Sequence, residues 1–370
     1  MSILSFYSVI EKYRDFDFDG YFENVTDNDV LRSLNKNKLN HMDVLNLLSP
    51  KAMKYLEQMA QKAHRLSLQH LGKTVTLYTP MYIANYCVNH CVYCGYNCKS
   101  GINRRKLNME QIKNEADYIA DMGFKHILVL TGESERHSPV EYIGEAVNLI
   151  SDRFSSIGIE VYPMEVKGYK HLVENGADSL TVYQETYDEV VYKKVHIKGP
   201  KANFKFRLDA PERGAMAGMR SLSIGALLGL ADYRKDAFFT ILHGEYLKTK
   251  YPHIELSYSA PRMKPFKGSF DDINPVDDKT EFQIMTVMRL LDPHAALNVS
   301  TREDLEFRKN VMPLGVTKLS AEVTTDVGGH TLGEGGTNQF ENNTDASLEE
   351  VGKMLNSIGY QYVFKDWERF

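Results

Sequence analysis

The chain predicts an α/β fold on a parallel sheet, most simply a (β/α)8 TIM-type barrel behind an N-terminal helical extension. Three observations carry this. Strand-like apolar runs alternate with helical stretches of ten or more residues, and only a crossover helix returns a strand to pair in the same direction. Eight strand candidates can be counted between residues 75 and 321. No internal repeat, low-complexity tract or Pro/Gly/Ser-rich linker divides them. A doubly wound sheet shares this local signature, so spacing alone favours the barrel without excluding the alternative.

In order along the chain, residues 1–73 read as a charged helical extension. Ser49-Pro50 opens a segment from Lys51 to Leu71 whose Met53, Leu56, Met59, Ala60, Ala63 and Leu66 recur at helical spacing. Residues 74–325 hold the alternating region. Its strand candidates are Val75 to Ile83, His126 to Leu130, Ile157 to Tyr162, Ser179 to Tyr183, Leu222 to Gly225, Ile254 to Tyr258, Ala296 to Val299 and Val316 to Ala321. Asn108 with Gln111 three residues on forms a capping-box pattern, with Ile112, Ala116, Ile119 and Met122 on the apolar face of the helix that follows. Another helix is expected from about Val140 to Phe154. Residues 326–370 begin with a glycine-rich loop, Asp326 to Gly336, readable as an anion-binding nest or a flexible lid. They end in a helix with a Ser347/Glu350 cap and Gly359 as its stop, expected to pack on the barrel.

At 370 residues and 43% hydrophobic content the chain can bury a large core. A net charge of −5 gives no basic field for nucleic acid. No run reaches the eighteen or so apolar residues of a membrane span, and the N-terminus lacks a signal-peptide layout. A cytoplasmic protein that binds neither nucleic acid nor membrane is expected.

All four cysteines fall between Cys87 and Cys98, three of them as Cys87-x3-Cys91-x2-Cys94. Three thiolates so spaced can hold three irons of a [4Fe-4S] cube and leave the fourth open to a cofactor or substrate. Zinc wants four ligands in paired knuckles; Cys98 and His90 could complete a set, but no second knuckle exists. A disulfide framework would spread its cysteines along a small secreted chain. Cys98 reads as a bystander.

The segment Tyr86-Cys87-Val88-Asn89-His90-Cys91-Val92-Tyr93-Cys94 resembles the radical S-adenosylmethionine (SAM) superfamily, with Tyr93 as the aromatic residue before the last cysteine. Thr131-Gly132-Glu133 after the second strand and Tyr183-Gln184-Glu185-Thr186-Tyr187 after the fourth narrow the resemblance to its aromatic amino acid lyases. The tail, with Asn338-Gln339-Phe340-Glu341 and Val363-Phe364-Lys365-Asp366-Trp367, is most similar to the tyrosine lyases of thiamine biosynthesis. The resemblance implies a barrel, a [4Fe-4S] cluster on Cys87, Cys91 and Cys94, SAM on the open iron, and L-tyrosine cleaved to p-cresol and dehydroglycine. It also implies a flavodoxin- or ferredoxin-type electron donor and a thiazole synthase as partner. Tryptophan lyases are near relatives. The tyrosine lyases of [FeFe]-hydrogenase maturation carry further C-terminal cysteines, whereas no cysteine follows Cys98 here.

Residue by residue, the resemblance assigns Arg207, in preference to Arg213, to the SAM carboxylate, a task suited to a planar guanidinium. It assigns Glu185 to the SAM amino or ribose group, and backbone groups of Gly132 and Glu133 to the amino group. Arg302 would clamp the substrate carboxylate, with Ser320 and Tyr82 lining the pocket. Each has a plainer reading: a surface arginine, a strand-end carboxylate or hydroxyl, a core tyrosine. No residue identifies itself as the base for the phenolic proton.

Overall fold

Eight parallel strands close into a barrel in the computed structural model, which describes residues 5–264, 270, 272–333, 335–340 and 346–368. The strands are β1 (Thr74–Ala84), β2 (His126–Thr131), β3 (Ser156–Glu160), β4 (Ser179–Glu185), β5 (Ser221–Ala226), β6 (Glu255–Ser259), β7 (Ala296–Val299) and β8 (Val316–Ser320). Each pairs with the next, and Tyr78 opposite Ser320 joins β1 to β8 and closes the ring. All eight expected strands are present, and closure decides between barrel and doubly wound sheet. At eleven residues β1 is the longest: its lower half pairs with β8 and a short tail strand, Gln361–Val363, and its upper half with β2.

The helices follow local chemistry. Asn108 and Gln111 form the reciprocal cap of Met109–Asp121, with Ile112, Ala116 and Ile119 buried. The helix expected to reach Phe154 stops at Ile150. The segment expected as one helix from Lys51 splits: Ser49 caps a 3-10 turn with Pro50 in its first position, and the α-helix runs from Leu56 to His70. Met59 and Ala63 on that helix are fully buried, each apolar side chain of methionine size contributing roughly 1.5–3 kcal/mol. The extension shares the barrel's main core, and Gln283 of helix Asp278–Leu291 donates to the carbonyls of Leu47 and Ser49 at 2.8 and 3.0 Å.

Two departures from regular strand geometry position the site. The β4–β5 register shifts between Tyr183 and Glu185, and Glu185 adopts φ 74°, a left-handed conformation costing a non-glycine residue about 1–3 kcal/mol. Beyond the barrel mouth, His90–Cys91 pairs antiparallel with His196–Lys198, tying the cysteine loop to the segment after β4. Among the described residues no helix is long and apolar enough to cross a membrane.

Candidate active site

The cysteine loop leaves the top of β1 and is held from several sides. Arg104 donates to the carbonyls of Asn85, Tyr96 and Asn97 at 2.6, 2.9 and 2.6 Å. Tyr86 stacks on His137, ring centroids 4.0 Å apart. Gly132 is glycine for a steric reason: a Cβ there would approach the Tyr86 carbonyl oxygen to 2.4 Å. A Cβ on Gly95 would likewise meet the Gln339 carbonyl oxygen at 2.3 Å. Within this frame Cys91 is buried, Cys87 and Cys94 are half-buried, and Cys98 is exposed. Burial raises the thiol pKa of Cys87, and the nearby Cys94 raises it further. Burial also raises Cys91, which Cys94 and Cys87 push up and Lys201 pulls down.

Beside the loop lies a buried charge cluster. Glu185 Oε1 accepts from Lys201 Nζ at 2.7 Å and from Arg207 Nη2 at 3.1 Å, while Arg207 Nε donates to the Tyr183 carbonyl at 2.7 Å. Burial would raise the Glu185 carboxyl, but the two cations hold it at about 2, ionised near neutrality. Arg213 is engaged elsewhere, donating to the Met164 and Phe206 carbonyls and stacking on Phe206. Arg207 lies near the end of the short helix Phe204–Leu208. Lys201 was not anticipated, and nothing in its neighbourhood of the sequence singles it out.

Gly132 and Glu133 brace the cysteine loop. The Gly132 N–H donates to Ala84 O at 2.9 Å and the Glu133 carbonyl accepts from Val88 N at 2.9 Å. The Gly132 N–H is thus taken within the protein, while the Glu133 carbonyl oxygen keeps a second lone pair. The Glu133 carboxylate accepts from Asn89 Nδ2 at 2.6 Å, and Asn89 Nδ2 also approaches Cys87 Sγ at 3.7 Å. Tyr93 is buried, its hydroxyl 2.7 Å from His196 Nε2. His196 Nδ1 faces the Tyr192 carbonyl at 2.8 Å and so carries the proton, leaving Nε2 to accept from Tyr93. Burial, with Lys201 adding to it, lowers His196 to about 3, so the ring is neutral.

A cavity opens below the loop at the C-terminal ends of the strands. Its lining includes Cys94, Tyr93, Glu185 and Lys201 together with Tyr82, Arg302 and Ser320. This is the barrel face where active sites form. Arg302 stacks on Phe340, its guanidinium carbon 3.6 Å from the ring centroid, and forms no ion pair with any described residue. Ser320 Oγ accepts from Thr301 N at 3.1 Å, fixing the turn that carries Arg302. Tyr82 donates to Gln339 Oε1 at 3.3 Å, and Gln339 Nε2 stands 3.7 Å from Cys94 Sγ. Gln339, Phe340, Tyr78 and Glu160 also line the cavity and were not anticipated as site residues.

The radical SAM superfamily model matches residues 81–237, and the biotin and thiamin synthesis associated domain matches 259–361. The 2-iminoacetate synthase of Escherichia coli (strain K12) is 36% identical over 364 residues, 97% of this chain and 97% of that protein. The enzyme of the same name from Salmonella typhimurium is 38% identical over 341 residues, 92% of this chain and 90% of its own. The chain belongs to the 2-iminoacetate synthase family of radical SAM enzymes. Among solved structures HydG, a maturase of the [FeFe]-hydrogenase, superposes with a TM-score of 0.90 at 28% identity, over 96% of this chain and 80% of that one.

The family's cofactors are a [4Fe-4S] cluster and SAM, and the residues fit them. Three thiols near enough to perturb one another suit a cube, where each thiolate takes a different iron. The Lys201–Glu185–Arg207 group adds two cations to one carboxylate, leaving one positive charge for an anion beside the loop.

The glycine-rich segment does bind an anion, but the protein's own. The His330 and Thr331 N–H groups donate to the buried Glu115 carboxylate at 3.0 and 2.9 Å. Asp326 Oδ1 accepts from the Thr337 N–H at 2.7 Å. The loop's described part is tied down, in contrast to the lid reading. Glu341, part of the tail resemblance, lies outside the described residues.

Proposed function

We propose that this protein cleaves the Cα–Cβ bond of L-tyrosine, releasing 2-iminoacetate (dehydroglycine) and p-cresol, and that the two-carbon product supplies the thiazole moiety of thiamine. One observation carries the reading: Arg302, free of any carboxylate among the described residues, opens on a tyrosine-walled cavity that reaches Cys94. A half-buried guanidinium lining a concave site is completed by an anion. The amino acid carboxylate supplies one, and the remaining space between Tyr82, Tyr78 and Tyr183 accommodates an aromatic ring. Near-full-length identity to two 2-iminoacetate synthases supports the same reading.

When bound, the reduced cluster and SAM supply a 5′-deoxyadenosyl radical. The chain's own residues provide position and shelter. Cys87, Cys91 and Cys94 hold the cluster, Arg207 and Lys201 receive the SAM carboxylate, and Glu185 keeps both cations in place and takes the SAM amino or ribose group. Arg302, braced by Phe340 and by the Ser320-anchored turn, holds the substrate carboxylate. The Gln339–Phe340 segment covers the Cys94 side and limits water, which would hydrolyse the imine product.

A thiazole synthase as receiver of that product, a flavodoxin- or ferredoxin-type donor and a cytoplasmic location complete the proposal. Anaerobic reconstitution followed by assay with tyrosine and with tryptophan tests it. Release of p-cresol from tyrosine, and no 3-methylindole from tryptophan, is expected; the reverse would assign the enzyme to an indole substrate.

A further inference from the structure

Glu160, the last residue of β3, has its carboxylate open on the same cavity as Arg302. It takes no hydrogen bond or ion pair from any described residue, and it does not pair with Arg302. Inside a protein, an ionisable group without partners in a concave site is costly unless a ligand completes it. Its neighbours are those of the substrate space. Burial raises Tyr82 and Tyr183, and for both Glu160 is the next contributor. Arg302 is the charge acting most strongly on Glu160 itself. The cavity therefore presents one free cation and one free anion, close enough to feel each other but unpaired, which is the complement of an amino acid zwitterion.

Resting on the tyrosine reading above, we infer that Glu160 binds the substrate's amino group and takes its extra proton, so that the nitrogen enters the reaction as a neutral amine. The step balances simply. An N–H bond of the ammonium breaks, its electron pair stays on nitrogen, and the proton forms an O–H bond on the Glu160 carboxylate. Removing a hydrogen atom from a neutral amine gives a neutral aminyl radical, whereas removing one from an ammonium leaves its single charge on an electron-deficient nitrogen, so a base beside the nitrogen favours the abstraction.

The charges around Glu160 suit this exchange. Burial raises its carboxyl to about 7, with Glu185 adding to the rise while Arg302, Arg207 and Lys201 oppose it. Tyr78, Tyr82 and Tyr183 are the phenols facing it, and burial raises all three, so none competes as an anion near neutrality. A group near pH 7 is matched to accepting and returning a proton there. The phenol end of the substrate is left to the tyrosine walls.

The test compares binding of three ligands to reconstituted, SAM-loaded but unreduced enzyme: L-tyrosine, 3-(4-hydroxyphenyl)propanoate without the amino group, and L-phenylalanine without the hydroxyl. In Glu160→Gln the preference for tyrosine over the propanoate should fall about tenfold or more, as expected when a charge-assisted hydrogen bond is lost. Its preference for tyrosine over phenylalanine should not change. Glu160→Asp, which keeps the charge and retracts it, should fall between wild type and Glu160→Gln, and it carries the comparison alone if the Gln variant does not fold. An unchanged amino preference in both variants overturns the assignment, as does a loss confined to the hydroxyl preference. Wild-type protein without any preference for tyrosine would overturn the substrate reading together with this one.

Discussion

The Lys201 ammonium lies 2.7 Å from the Glu185 carboxylate, and both groups are almost wholly withdrawn from solvent. Arg207 shares the same oxygen at 3.1 Å, so two buried cations depend on one anion. Removing one partner of a buried pair typically costs about 3–5 kcal/mol because the other charge is stranded. Glu185→Gln should therefore lower stability by about that amount, read by chemical denaturation of the apoprotein. Lys201→Met keeps Glu185 paired with Arg207 and removes the surplus cation. It should weaken SAM binding by about tenfold or more in equilibrium titration, with a smaller loss of stability.

Arg302 makes no competing ion pair, so its contribution should appear in substrate binding and little in the fold. Arg302→Ala should raise the Kd for tyrosine by about thirtyfold or more, equivalent to the roughly 2 kcal/mol lower bound for removing one member of a buried charge pair. Arg302→Lys should recover only part of this, because an ammonium cannot stack flat on Phe340. Unaltered tyrosine affinity in the alanine variant would remove the clamp.

The four cysteines should separate three to one. Cys87→Ser, Cys91→Ser and Cys94→Ser should each abolish the cluster's visible absorbance after anaerobic reconstitution. Cys98→Ser should retain full iron and sulfide content, since that side chain is exposed and stands apart from the bound set. Iron loss in the Cys98 variant would require a different ligand set.

Two groups, His243 and Glu185, should each take stability from the apoprotein as pH falls. Burial lowers His243, stacked on Phe6 and bonded to Tyr187, to about 3 from an ordinary 6.5. Between those values the unfolded chain binds a proton that the folded chain refuses, so stability falls as pH drops from about 6.5. Glu185, held at about 2 against an ordinary 4.5, contributes stability that is present above 4.5 and lost as pH falls towards 2. Denaturation midpoints of wild type and Glu185→Gln between pH 8 and pH 3 check the second contribution, since only the fall below pH 4.5 should shrink in the variant.

The barrel was legible because its signal is local: apolar runs such as His126 to Leu130 and Val316 to Ala321, spaced by helices, already imply parallel strands. Closure was not local, since it needs Tyr78 opposite Ser320 across more than two hundred residues. The three cysteines announced themselves by spacing. Lys201 and Glu160 did not, because nothing in their sequence neighbourhood distinguishes a cavity-facing charge from a solvated one, and Gln339 stood only within the tail resemblance. Only the fold brings Gln339 to Cys94, or sets Glu160 and Arg302 in one chamber. The glycine-rich loop misled for the same reason: its N–H groups do form an anion nest, but Glu115 from a distant helix fills it.

The most direct measurement is a single-turnover stoichiometry on reconstituted, reduced protein with SAM and ring-labelled L-tyrosine under strict anaerobiosis. One p-cresol and one glyoxylate, the hydrolysis product of 2-iminoacetate, are expected for each 5′-deoxyadenosine formed, and none from the Cys91→Ser variant. 5′-Deoxyadenosine formed without p-cresol would contradict the tyrosine-cleaving site described for this cavity.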